Sequence, residues 1–94
     1  MVEQKDKIIA IIRMFFPRSK IYLFGSYARG NQRRGSDIDI AIDNGEPLAI
    51  VPHQQVINMI ECLNLVQKVD VVDFQSVSPK LQENILKEGI LWNS

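Results

Sequence analysis

The sequence predicts a small domain of the α+β (mixed α/β) class, with helices packed on one β-sheet. Two patterns carry this prediction. Residues 37–43 alternate strictly between isoleucine and acidic or small side chains, which is the period-two pattern of a strand. Apolar residues elsewhere recur at helical spacing, as at Ile8, Ile11, Ile12 and Phe15. A chain of 94 residues can build one core, so we expect a single domain over residues 1–94.

Helical and extended segments alternate along the chain, and turn residues separate them. Pro17 stops the first helix, and Ser26 is expected to cap a short helix that ends at Gly30. Ser78 and Pro79 are a typical cap and first position of a last helix, which Gly89 ends. The predicted order is helix 3–16, strand 20–24, short helix 27–29, strand 37–43, helix 53–63, strand 68–74, helix 79–88 and a short edge strand 90–92.

The side chains that face the core follow from the same periodicities. One face of the strand 37–43 is apolar, and each helix has an apolar stripe. Cys62 is expected to be a small buried residue, and His53 a solvated or N-terminal polar residue at a helix start. The predicted core beyond the first helix comprises Ile38, Ile40, Ile42, Val56, Ile57, Ile60, Leu63, Leu81, Ile85 and Leu86.

Composition limits the function classes. Lys plus Arg equals Asp plus Glu, so the net charge is zero, which argues against broad electrostatic capture of nucleic acid. With a single cysteine, no disulfide can form within the chain, and we expect a cytoplasmic protein. Charged residues near the N-terminus do not fit a signal peptide, and no apolar run approaches the ~20 residues that span a bilayer.

Acidic residues at the start of two predicted strands are the strongest sign of a functional site. Asp37 and Asp39 share one face of a strand, with Cα atoms ~6.5–7 Å apart. Asp70 on the next predicted strand is a third acid with the parity to join them, whereas Asp73 has the opposite parity. Carboxylates in this number repel one another unless a cation offsets their charge. The pattern favours a Mg²⁺ site, with two ions, that handles phosphate.

A second element of the site is the turn Gly25-Ser26, which joins a predicted strand to the short helix. Glycine allows close approach of the backbone, and the free N–H groups at a helix start bind phosphate. Arg29, one turn further on, could add a charge-assisted contact. Arg33 and Arg34 in the following loop either contact phosphate or the acceptor, or belong to an ordinary solvated loop.

These motifs together resemble the minimal nucleotidyltransferases of the DNA polymerase β-like superfamily. The resemblance rests on Gly25-Ser26-x-x-x-Gly30, on Ser36-Asp37-Ile38-Asp39 and on Val69-Asp70-Val71-Val72-Asp73, and it covers nearly the whole chain. It implies a small mixed sheet. It assigns metal binding and catalysis to Asp37, Asp39 and Asp70, and the nucleotide phosphates to Gly25 and Ser26. With Arg29 and Ser36, these two residues make up the expected nucleotide-binding set.

The resemblance also implies an activity and a partner. Small members of the family commonly act with a separately encoded helical protein of the HEPN type, and some are antitoxins that transfer AMP from ATP to a tyrosine of that toxin. We therefore expect Mg²⁺-dependent transfer of a nucleoside monophosphate to a hydroxyl. The alternative is a non-catalytic module that neutralises its partner by docking. An RNA acceptor and self-association both stay open, and no membrane partner is expected.

Overall fold

The computed structural model describes residues 4–31 and 35–93, and it confirms the predicted α+β class. Helices and strands follow the predicted order along the chain. The helices are α1 (Lys5–Phe15), α2 (Ser26–Arg29), α3 (Ile50–Glu61) and α4 (Pro79–Glu88), and the strands are β1 (Lys20–Phe24), β2 (Ile38–Asp43), β3 (Val69–Asp73) and β4 (Ile90–Leu91).

The strands form one mixed sheet in the order β3-β2-β1-β4. β1 pairs antiparallel with both β2 and β4, whereas β2 and β3 are parallel. A parallel pair needs a crossover connection, and α3 supplies it between β2 and β3. This topology brings the end of β1 and the starts of β2 and β3 to the same edge of the sheet, because Phe24 pairs with Asp39 and Asp39 pairs with Asp70.

Helices cover both faces of the sheet, but unequally. On one face, α1 and α3 pack on the isoleucines of β2, and Ile8, Ile40 and Val56 are completely buried. On the other face, a smaller cluster joins α4 to the sheet through Ala41, Phe74 and Ile85. Asp39 shares that second face because it lies two residues from Ala41 on the same strand. The acidic residues therefore lie on the less covered side of the sheet.

The third helix begins three residues earlier than predicted, at Ile50 instead of His53, and it ends at Glu61. Pro52 is the third helical residue. Proline is tolerated there because the first backbone N–H groups of a helix have no acceptor within it. The prediction placed the start after Pro52, although the extended backbone of Ala49 already provides the cap position.

Two predicted core residues lie at the surface instead. Leu86 is 61% exposed, because α4 contacts the sheet mainly through Ile85 and Leu81 and turns Leu86 outward. Cys62 is exposed and is the residue that caps the end of α3. Among the helices of the described ranges, none is long and apolar enough to cross a membrane.

Candidate active site

The turn between β1 and α2 is built on Gly25, whose φ of 73° and ψ of −151° are accessible in practice only to glycine. A Cβ at this position would overlap Oδ2 of Asp39 and would lie 3.2 Å from its Cγ. Gly25, and not Ser26 as predicted, is the cap residue of α2, because the backbone changes direction one residue earlier. Ser26 is instead the first helical residue. The carboxylate of Asp39 thus lies directly against the turn expected to bind phosphate.

Asp39 and Asp70 are direct neighbours across the parallel pair of β2 and β3. Adjacent strands lie ~4.8 Å apart, and like charges directly opposite each other destabilise a sheet. Asp37 lies one residue before β2 and is exposed. The structure therefore brings two of the three predicted acidic residues into register on adjacent strands, with the third at the approach to them.

The surroundings of Asp39 raise the pKa of its carboxyl. Partial burial raises the pKa of its carboxyl above 3.8, and the negative charges of Asp70 and Asp37 raise it further. The positive charge of Arg29 acts in the opposite direction and lowers that pKa. The ionised carboxylate of Asp39 therefore lies where the fold alone disfavours it. A cation at the same place would relieve this cost.

These donors fit Mg²⁺ in chemistry but do not form a complete protein cage. Carboxylate oxygens are the hard ligands that Mg²⁺ prefers. Within residues 4–31 and 35–93, no three His, Cys, Asp or Glu side chains are close enough to hold one ion. Mg²⁺ is usually bound by one or two carboxylates, with water and substrate phosphates as the remaining ligands. The pair Asp39 and Asp70 beside an expected phosphate turn matches that second arrangement.

Arg29 has a carboxylate partner that the sequence did not reveal. Its Nη1 lies 3.7 Å from Oε2 of Glu88, the last residue of α4. Gly89 predicts where α4 ends, but no pattern in the sequence predicts that this end lies beside α2. The other predicted basic residues, Arg33 and Arg34, lie outside the described residues. Ser36, the remaining predicted nucleotide-binding residue, is partly buried just before β2.

Asp73 and His53 have structural partners. Asp73 accepts hydrogen bonds from Leu48 N and Ser76 Oγ at 2.9 and 2.7 Å, in agreement with its lower rank as a site residue. His53 lies in the first turn of α3, as predicted for a polar residue at a helix start, but it is half-buried and not solvated, because its Nε2 lies 3.1 Å from the carbonyl oxygen of Val71. Both line a recess of about 480 Å³ between α3 and β3, which contains none of the predicted site residues.

Comparison with known proteins agrees with this fold. The profile of the polymerase β nucleotidyltransferase family matches residues 6–93, and the chain belongs to that family. The predicted class, a nucleotidyltransferase, is thereby confirmed. The chain is similar to the protein adenylyltransferase MntA of Shewanella oneidensis, with 36% identity over 92 residues. That match covers 96% of this chain and 66% of the relative, so the chain spans just under two thirds of its length.

Solved structures of toxin–antitoxin complexes contain similar chains. A complex with AMP-PNP has a chain 34% identical to this one, with a TM-score of 0.79 over 96% of this chain and 73% of the other. In a complex of a tri-AMPylated HEPN toxin of Shewanella oneidensis with its MNT antitoxin, the TM-score is 0.73 at 29% identity. That match covers 97% of this chain and 70% of the other. The predicted family, the minimal nucleotidyltransferases, is confirmed.

Proposed function

We propose that residues 1–94 act as one domain that transfers AMP from ATP to a tyrosine hydroxyl of a small helical HEPN-type partner, and that the transfer neutralises this partner. The observation that carries the proposal is the pairing of Asp39 with Asp70 at the edge of the sheet where Gly25 makes its turn. In the part of the chain that the structure describes, the carboxylates of Asp39 and Asp70 form no hydrogen bond or ion pair, whereas the carboxylate of Asp73 accepts hydrogen bonds.

The names of similar proteins support the choice of nucleotide and acceptor. The relative from Shewanella oneidensis is named a protein adenylyltransferase, and one similar antitoxin was solved with AMP-PNP. Another was solved with a HEPN toxin that carries AMP groups. The single cysteine of this chain is in keeping with a cytoplasmic setting for the reaction.

We assign the site residues to two groups, one that binds the triphosphate and one that holds the metal ions. On the β1 side, we assign the triphosphate to the backbone of Gly25 and Ser26, with Arg29 and Ser36 adding polar contacts. On the β2 and β3 side, Asp37, Asp39 and Asp70 would hold two Mg²⁺ ions. When bound, Mg²⁺ would lower the pKa of the acceptor hydroxyl and offset charge on the leaving phosphates.

The reaction exchanges a phosphoanhydride bond of ATP for a phosphate ester bond to tyrosine. The tyrosine oxygen gives up its proton, and we assign Asp70 to this step, either as the base or as a ligand of the metal ion that would lower the pKa of the hydroxyl. The oxygen then forms a bond to the α-phosphorus of ATP. The bond from the α-phosphorus to the oxygen that bridges it to the β-phosphorus breaks, and pyrophosphate leaves with that electron pair. The basic side chain of Arg29 would bind the phosphates of ATP and those of the departing pyrophosphate alike.

The test is intact mass spectrometry of both proteins after incubation with Mg²⁺ and ATP. The partner would be the helical protein encoded beside this one. We expect one or more AMP units on the partner with the wild-type chain, none with Asp39→Asn, and wild-type transfer with Asp43→Asn. Asp43 is the matched control because it ends the same strand and lies away from Gly25.

Two outcomes would contradict the proposal. If the partner is neutralised by the double variant Asp37→Ala, Asp39→Ala and carries no added mass, the chain acts as a non-catalytic docking module. If AMP appears on RNA or on a small molecule and not on the partner, the chain is a nucleotidyltransferase with a different acceptor.

A further inference from the structure

We infer that Glu88 is a positioning residue that orients the guanidinium of Arg29 toward the phosphates of the bound nucleotide. This inference rests on the proposed function and deepens it, because it adds a residue outside the recognised motifs to the nucleotide site. Glu88 does not touch the reacting atoms. It acts through Arg29, whose Nη1 lies 3.7 Å from Glu88 Oε2.

Arg29 is placed to serve a phosphate. It lies on the first turn after Gly25, and its backbone N–H donates to the carbonyl of Gly25 at 3.1 Å. A guanidinium has several N–H donors in a fixed plane, so contact with one carboxylate leaves donors for a second anion.

The end of α4 that carries Glu88 is held firmly against β1. The N–H of Gly89 donates to Ile85 O at 2.8 Å, and a Cβ on Gly89 would overlap that carbonyl and lie 3.3 Å from Leu23 O. The next residue, Ile90, pairs with Leu23 in the sheet. Because β1 leads directly into the Gly25 turn, the backbones of Glu88 and Arg29 are tied to the same strand a few residues apart.

Because both side chains are partly exposed, we expect the ion pair to orient Arg29 and to add little to the stability of the fold. The side chains of Arg29 and Glu88 are 51% and 49% exposed. Exposed ion pairs stabilise a fold little, because water and salt screen them. A long arginine side chain that is half in solvent, however, samples many rotamers unless a partner limits them. Glu88 limits those rotamers before the nucleotide arrives, which reduces the entropy cost of phosphate binding.

The experiment compares Glu88→Gln with Glu83→Gln, a charge-matched control at an exposed position of the same helix. We measure kcat and KM for ATP at a fixed partner concentration, together with the equilibrium Kd for ATP. Glu88→Gln is expected to raise KM and Kd for ATP about two- to fivefold, the range that an exposed ion pair can supply. Its kcat should stay near that of wild type, since the contact serves ground state and transition state alike. Glu83→Gln should change none of these values.

Two further variants separate orientation from a merely structural role. In an Arg29→Ala background, Glu88→Gln should have no additional effect on the Kd for ATP. The charge-reversed pair Arg29→Glu, Glu88→Arg should keep a Tm near that of wild type but should not recover ATP affinity. Equal Kd values for Glu88→Gln and Glu83→Gln would overturn the inference, as would an undiminished Glu88→Gln effect in the Arg29→Ala background. A wild-type chain that binds ATP but transfers nothing would contradict the proposed function, and the Kd comparison would still test Glu88.

Discussion

Asp39 is the residue on which the contacts of the site converge. It pairs with Asp70 on one side and with Phe24 on the other, and its carboxylate occupies the space that a side chain at Gly25 would need. Burial and two neighbouring negative charges raise the pKa of its carboxyl. A position with these properties costs free energy at neutral pH in the chain alone, and a bound cation would offset that cost.

Replacing Asp39 should therefore stabilise the metal-free chain while it abolishes transfer. The pKa of Asp39 is higher in the folded state than the 3.8 of a free side chain, so the folded state holds the proton more tightly. The free energy of unfolding therefore falls as the pH rises from the pKa of Asp39 in the unfolded chain through its higher pKa in the folded chain. The loss of stability persists at neutral pH. We expect Asp39→Asn to be more stable than wild type at pH 7 by up to ~1 kcal/mol, a modest gain because the site is partly solvated.

Urea unfolding in EDTA between pH 3.5 and 7.5 measures this effect. The difference between Asp39→Asn and wild type should grow with rising pH through the window above 3.8 and then level off. Asp43→Asn retains the Asp39 carboxylate and should retain the wild-type profile. A difference of the opposite sign, with Asp39→Asn less stable at pH 7, would show that the carboxylate stabilises the fold.

At the scale of the elements, β3 is an edge strand whose open side is partly closed by α3. Lys68 O accepts from Ile38 N and Phe74 N donates to Ile42 O, so the even-numbered residues of β3 bond to β2. The N–H and C=O groups of the odd-numbered residues therefore point to the open side of β3. There, His53 forms a hydrogen bond with the carbonyl oxygen of Val71. Since a carbonyl can only accept, Nε2 of His53 is the donor. Covering an edge in this way limits pairing with another chain.

Replacing His53 should weaken both the fold and its resistance to association. We expect His53→Ala to lower the free energy of unfolding by about 0.5–1.5 kcal/mol, the usual net effect of one lost hydrogen bond. It should also show more dimer or aggregate in sedimentation velocity at high concentration. Gln55→Ala, an exposed neighbour on α3, is the control. Equal behaviour of the two variants in both measurements would exclude a protective role for His53.

At the scale of the whole molecule, the sheet brings together acids that are distant in the sequence. Asp39 and Asp70 come into register only because α3 crosses over and returns the chain parallel to β2. Folding thus assembles a negative site whose charges repel, and a ligand that binds only the folded state shifts the equilibrium toward it. The whole fold, and not only the site, should respond to the cation.

We expect Mg²⁺ to raise the Tm of the wild-type chain. At a tenfold excess over Kd, one bound ion adds about 1.4 kcal/mol, which corresponds to several degrees for a domain of this size. The rise should be smaller in Asp39→Asn and absent when KCl of equal ionic strength replaces MgCl₂. Differential scanning calorimetry with and without EDTA measures it. The same rise in wild type and Asp39→Asn would mean that the ion binds elsewhere.

Local patterns in the sequence predicted much of this molecule. The alternation of β2, the stop at Pro17 and the cap at Ser78 are determined by neighbouring residues, so the sequence predicted them correctly. The conformation of Gly25 and the burial of His53 depend on the approach of distant segments, and so does the meeting of Glu88 with Arg29. Their partners are more than ten residues away, where periodicity and capping rules carry no information. The assignment of individual residues to metal and nucleotide stays a prediction.

Ala41 connects the acidic edge of the sheet with the helix that covers the rest of the same face. It is completely buried beside Phe74 and Ile85, two residues beyond Asp39 on β2. A methyl group there sets the clearance between β2 and α4, and α4 in turn ends at Glu88. We therefore expect the side-chain volumes at positions 41 and 85 to vary together in divergent sequences. A larger side chain at one position should be matched by a smaller one at the other, because this keeps the end of α4 at its distance from Arg29.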